Sequence, residues 1–163
     1  MAGVDASIWV HQLARTVDPL AWLNGQYQAV IDRFVLRLYK LRSRCSIAPY
    51  VVFDGAPNPA KRDEDGKREK QRAKAEQQLD VFQQQMASGL TVDEAEYIKV
   101  AKQCVRRSAA FDAQLQSALD QFGFGYETAP FEADSQLTYL ARTGRIEYTI
   151  TEDSDFVTLR IPG

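Results

Sequence analysis

Four short apolar runs in this chain stop abruptly at carboxylates, and that repeated pattern limits the available folds more than any other feature. Gly3-Val4-Asp5-Ala6-Ser7 stands near the start, and Tyr50-Val51-Val52-Phe53-Asp54-Gly55 follows downstream. A glycine-rich, aromatic piece from Phe122 to Thr128 leads into Pro130-Phe131-Glu132-Ala133-Asp134. The β-branched run Ile146 to Thr151 then breaks into Glu152-Asp153-Ser154-Asp155. Short runs of this composition read as buried strands. In an open α/β sheet, chemistry collects in the crevice beyond the carboxyl ends of the strands. Acids gathered at one such edge repel each other unless a cation sits among them, and hard divalent ions such as Mg²⁺ take oxygen ligands. The pattern predicts a metal site at the strand ends of an α/β domain.

The intervening stretches supply the helices. Ile8 to Arg15 reads as the helix after the first strand, and Asp18-Pro19 as a turn. Gln26 to Arg42 is amphipathic, with Tyr27, Val30, Ile31, Phe34, Val35, Leu38 and Leu41 on one stripe. Strand, helix, strand is the unit of a parallel sheet, so the expected fold is α/β with a mostly parallel central sheet flanked by helices. After the breaker cluster Gly55 to Pro59, residues 60–86 are rich in Lys, Arg, Glu, Gln and Ala. A helix so polar projects into solvent or touches something other than a core. Thr91-Val92-Asp93-Glu94 fits a capping box, predicting a further helix that runs to about Phe122. Residues 60–122 are thus a helical excursion inside one domain spanning 1–163. A last helix is expected from about Phe131 to Arg142, and strands near 125–128 and 146–151. A buried strand ordinarily has more chain before it than Gly3 does, so the start of the domain is expected to be truncated.

Composition fits one globular domain with a core, at 163 residues, 45% hydrophobic and 26% charged. Cys45 and Cys104 lie far apart with no histidine near them, which reads as two buried thiols in a reducing compartment rather than a zinc site. No run approaches membrane-spanning length, and no basic-then-apolar leader is visible. The net charge of −2 hides an uneven distribution. Residues 59–74 carry seven Lys/Arg against four acids, whereas residues 127–155 carry seven acids against Arg142 and Arg145. A cationic segment beside an acidic one suits a polyanion held next to metal ions.

Two-metal phosphoryl transfer needs a carboxylate cage holding two divalent ions roughly 3.5–4 Å apart. Asp5, Asp54, Glu132, Asp134, Asp153 and Asp155 are enough acids for that cage. Asp153 and Asp155 are two apart and share a face of an extended segment. Glu132 and Asp134 sit at a helix start, where the dipole favours ionised carboxylates. Taken singly, an acid at a strand end is more often a turn or cap residue. The basic run is more often a solvated helix face, and His11, the only histidine, is by default a surface or partly buried residue.

These residues together resemble the XPG/flap-endonuclease superfamily of structure-specific 5′ nucleases. The resemblance is carried by Val4-Asp5-Ala6-Ser7, by Val52-Phe53-Asp54-Gly55 with Pro57 and Lys61, by Ala129-Pro130-Phe131-Glu132-Ala133-Asp134, and by Thr151-Glu152-Asp153-Ser154-Asp155. His11 and the stretches Glu132 to Leu137 and Glu152 to Asp155 are most similar to the eukaryotic exonuclease I branch. The resemblance implies a 5′-nuclease fold with a two-helix arch. The six acids would be ligands for two Mg²⁺ ions, replaceable by Mn²⁺. Lys61 and Arg68 would be the catalytic basic pair that clamps the scissile phosphate; being seven apart, they share a helix face. His11 would stack on a nucleobase, with Lys61, Arg62, Lys67 and Arg68 as further DNA contacts. A later aspartate and the duplex-gripping module of the family have no counterpart here.

The expected function is therefore a metal-dependent 5′→3′ exonuclease or 5′-flap endonuclease of DNA repair or replication. It would be nuclear and monomeric, and would act on DNA bearing a 5′ end, nick, gap or flap. The alternative is a catalytically impaired piece of the same fold that serves as a DNA-binding or scaffold module.

Overall fold

A computed structural model describes residues 1–57, 62–150 and 158–160, with residues 62–65 and 158–160 described by backbone alone. The first strand, β1 (Ala2–Asp5), is central and buried along its whole length. It pairs in parallel with β2 (Pro49–Phe53), placing Asp5 opposite Val52, and with β4 (Tyr148–Ile150), placing Val4 opposite Ile150. On the far side of β2 lies β3 (Gly125–Thr128), also parallel, with Phe53 opposite Thr128. The short β5 (Thr158–Arg160) runs antiparallel to β4, giving the order β3-β2-β1-β4-β5. Every parallel strand therefore ends at one edge, as the acid-terminated runs require. The pairing of Thr158–Arg160 is an addition that the sequence reading did not foresee.

Helices cover both faces of the sheet, and the central strands β1 and β2 are buried on both sides. On one face lie α1 (Ala6–Ala14), α3 (Gln28–Arg44) and α6 (Ala109–Phe122). Trp9, Phe34, Leu38, Phe111, Leu115 and Leu119 meet Val4, Val51 and Phe53 there. Burying each such side chain stabilises the fold by about 1.5–3 kcal/mol. The other face is covered by α7 (Ala133–Arg142), whose Ala133, Leu137 and Leu140 pack with Val52 and Ile146. That close approach explains Gly3: a Cβ there would lie 2.4 Å from Leu137 Cδ2 and 2.7 Å from Ile146 Cδ1. Alternation along β1 turns Asp5 to this same face.

The excursion has its own small core. α4 (Arg62–Ala87) has 26 residues and reaches about 39 Å at the usual helical rise. It packs chiefly on α5 (Glu94–Cys104), burying Ala75 and Leu79 against Val100, Ala101 and Cys104. Leu20, on the short α2 (Pro19–Leu23), joins this cluster where a plain turn had been expected. The single helix expected to reach Phe122 is in fact two, broken between Cys104 and Ala109. Ser108 starts the second by accepting from the Phe111 amide, and a fresh N-cap is incompatible with an unbroken helix. The expected capping box also shifts: Asp93, not Thr91, accepts from the amides of Ala95 and Glu96 and caps α5. Cys104 is buried, as expected, but Cys45 is exposed at the end of α3, where its helix leaves the core. Among the described residues no helix is long and apolar enough to cross a membrane.

Candidate functional site

The site begins where β1 turns into α1. Asp5 caps that helix: its Oδ1 accepts from the Ser7 amide at 2.7 Å and the Ile8 amide at 3.1 Å. Among the described residues it is the one charged residue in the buried class, at 6% exposure. Burial pushes its carboxyl up to about 6, against the opposing pull of the Ile8 amide, and the negative charges of Asp54 and Asp134 push the same way. The charges of a carboxylate just after β2 and of one in α7 thus both reach Asp5 at the strand ends. An ionised group held at such a cost is suited to a cation that would relieve it.

Asp54 follows β2, and both of its carboxylate oxygens are hydrogen-bonded. Its Oδ1 accepts from the Ala133 amide at 2.8 Å, so it caps α7 from a distant part of the chain. Its Oδ2 accepts from the Ser7 hydroxyl and, at 3.3 Å, from Arg107 Nη1. Gly55 lets the chain continue past this point, since a Cβ there would lie 1.8 Å from the Ala129 carbonyl oxygen. The Gly55 amide instead donates to Phe131 O at 2.6 Å and the Ala56 amide to Pro130 O at 3.1 Å, tying the end of β2 to the entry of α7.

Glu132 stands at the N-cap position of α7, half-buried, without capping the helix itself. Asp134 lies in the first turn and is exposed, where the helix dipole favours its charge. His11 is exposed in the last turn of α1, and Lys67 and Arg68 are exposed near the start of α4. Lys61, Asp153 and Asp155 lie outside the described residues, as does the side chain of Arg62. Among the described residues, no three His, Cys, Asp or Glu side chains sit close enough together to hold a metal ion by themselves. The donor chemistry fits a hard cation, with half-buried and buried carboxylates facing one edge. Those described acids are a partial set.

Sequence reasoning missed Arg107. It sits between α5 and α6, and its Nε lies 2.8 Å from Asp112 Oδ1. Its Nη1 also donates to the Ser7 hydroxyl, and its Nη2 to the Asp54 carbonyl oxygen at 3.1 Å. A signal was present: Arg106-Arg107 stands immediately before Ser108, the start of a helix. The dipole disfavours cations there, so an arginine in that place implies an acidic partner from elsewhere.

Comparison with known proteins matches residues 1–75 to the XPG N-terminal domain and residues 123–162 to the XPG I-region. Flap endonuclease 1 of Mus musculus is 31% identical over 163 residues, a match covering 98% of this chain and 41% of the relative. Exodeoxyribonuclease 1 of Schizosaccharomyces pombe is 28% identical over 155 residues, covering 95% of this chain and 26% of the relative. Among solved structures, the catalytic core of Rad2 in complex with DNA substrate is similar with a TM-score of 0.60 and 25% identity. That match covers 94% of this chain and 37% of the other. The chain therefore spans well under half the length of these relatives.

Proposed function

This chain belongs to the XPG/flap-endonuclease superfamily, and from that premise we propose that it is a metal-dependent, structure-specific nuclease acting on DNA 5′ ends. The observation that carries the reading is the linkage of acids at the carboxyl edge of the sheet: Ser7 donates its amide to Asp5 and its hydroxyl to Asp54, and Asp54 in turn accepts from the Ala133 amide beside Asp134. Asp5, Asp54, Glu132 and Asp134, with Asp153 and Asp155, would hold two Mg²⁺ or Mn²⁺ ions. Bound there, such ions supply an activated water and stabilise the leaving oxygen of the phosphodiester.

The chain's own residues divide the remaining work. Lys61 and Arg68 would face the scissile phosphate and offset its growing negative charge as the bond breaks. Arg62 and Lys67 would hold neighbouring phosphates, a contact indifferent to base sequence. The exposed ring of His11 offers a flat surface for a nucleobase. Residues 60–122 would act as the gateway beside which the 5′ end passes, within a single nuclease domain. Its substrate would be DNA with a 5′ end, nick, gap or flap, handled by a monomer in the nucleus.

The test is an assay of nucleotide release from a 5′-recessed or flapped duplex with Mn²⁺. Asp153→Ala is expected to abolish release, and Lys61→Ala to slow cleavage by about 10²–10³-fold with little change in binding. Full turnover by Asp153→Ala would sink the assignment. A second reading, a DNA-binding or scaffold piece without turnover, is favoured by one observation: the described acids do not close a cage by themselves. DNA binding with no Mn²⁺ binding in calorimetry would decide for it.

A further inference from the structure

We propose that Arg107 is a built-in counter-ion of the carboxylate site: it holds Asp54 in place when no divalent cation is bound, and gives up that carboxylate when one arrives. The inference rests on the metal-site reading above and concerns how that site is kept assembled. Four contacts define the clasp. Nη1 donates to Asp54 Oδ2 at 3.3 Å and to the Ser7 hydroxyl, Nη2 donates to the Asp54 carbonyl oxygen at 3.1 Å, and Nε lies 2.8 Å from Asp112. The guanidinium also lies 5.8 Å from the centre of the Phe53 ring, on the residue that precedes Asp54. It is mostly buried, at 19% exposure, so its charge is only partly screened by water.

The geometry separates two jobs. Contacts to the Asp54 main chain and to Asp112 anchor Arg107 and do not compete with a cation. The contact to Asp54 Oδ2 does compete, because Oδ1 is held by the Ala133 amide of the main chain, whereas Oδ2 is held by the side chains of Ser7 and Arg107, which can move aside. A fixed positive charge beside a ligand oxygen weakens binding of a second positive charge, and the charge-assisted hydrogen bond to Oδ2 that the cation must displace acts in the same direction. Arg107 therefore sets a ceiling on cation affinity while keeping the cation-free site folded. Arg107 touches neither substrate nor cation in this scheme and is a positioning residue.

Calorimetric titration with Mn²⁺ and thermal unfolding in EDTA test this on the parent, Arg107→Gln, Arg107→Lys and Asp112→Asn. Arg107→Gln should bind Mn²⁺ about tenfold more tightly and unfold at a lower temperature in EDTA. Arg107→Lys, which keeps the charge, should restore the parent affinity. Asp112→Asn frees the guanidinium to hold Asp54 harder and should weaken Mn²⁺ binding several-fold, by the same charge argument; this variant decides the matter if Arg107→Gln does not fold. Unchanged Mn²⁺ affinity in Arg107→Gln, or in Asp112→Asn where the former does not fold, overturns the role of Arg107. A parent that binds no Mn²⁺ overturns the metal-site reading as well.

Discussion

The sheet edge and the α4–α5 excursion are built by opposite rules. At the sheet edge, two of the candidate ligands are placed by main-chain hydrogen bonds: Asp5 by the amides of Ser7 and Ile8, Asp54 by the amide of Ala133. The central strands β1 and β2 beneath are buried, and all four parallel strands are fixed in register by their pairing. In the excursion, cations ride on an exposed 26-residue helix that meets α5 through a handful of apolar residues. Cation sites need carboxylates fixed to fractions of an ångström, whereas phosphates can be held by long side chains that adapt. Rigidity is spent where the coordination is demanding.

Five outcomes would break or sharpen this contrast, taken from the largest effect to the smallest. Leu119→Ala, deep in the main core, should cost about 2–5 kcal/mol of global stability by denaturant unfolding. Leu79→Ala should instead open α4 and α5 locally, seen as faster amide exchange over residues 70–104 while the strand amides stay protected. Equal global losses would show the two regions to be one cooperative unit.

The next effect concerns pH. Asp5 rises from 3.8 to about 6 on folding, so the folded state holds a proton that the unfolded chain has released. Stability should therefore fall as pH rises through that window, by about 3 kcal/mol in total, and stay reduced above it. Thermal unfolding in EDTA from pH 4 to 7 should show the fall in the parent and its loss in Asp5→Asn. A parent curve that rises through the window in step with the variant would contradict the burial argument.

Two glycine replacements give the sharpest paired test. Gly55→Ala pushes a methyl into the Ala129 carbonyl and should cost about 1–3 kcal/mol, along with weaker Mn²⁺ binding at Asp54. Gly66→Ala, inside α4 with nothing within 4 Å of the added methyl, should stabilise that helix by about 0.5–1 kcal/mol. Helix content by circular dichroism and unfolding midpoints measure both. A stabilised Gly55→Ala would mean that the loop after β2 has room to move.

The parallel strands were legible because each is a short β-branched or aromatic run closed by an acid, and buried parallel strands leave that continuous signature. The amphipathic stripe of α3 was legible for a similar reason, since Val30, Phe34 and Leu38 repeat at helical spacing. The break after Cys104 was not, because Val105, Arg106 and Arg107 tolerate a helix and only Ser108 hints at a new start. Trp22 gave no local sign that α2 would fold under the excursion; its indole donates to the Arg106 carbonyl at 2.9 Å, a contact settled by tertiary packing. Arg107 was half legible: its place just before a helix start calls for an acidic partner, but tertiary packing decides which one. Its partners Ser7, Asp54 and Asp112 come from three separate segments, and no spacing rule links them.

The Asp54–Ala133 contact joins parts of the chain 79 positions apart, and it has a mechanical consequence. The strand that presents Asp54 also steers the first peptide of the helix that presents Asp134. Any force drawing Asp54 outward is geared to the tip of α7, so acids from two elements would advance or retreat in step rather than one at a time.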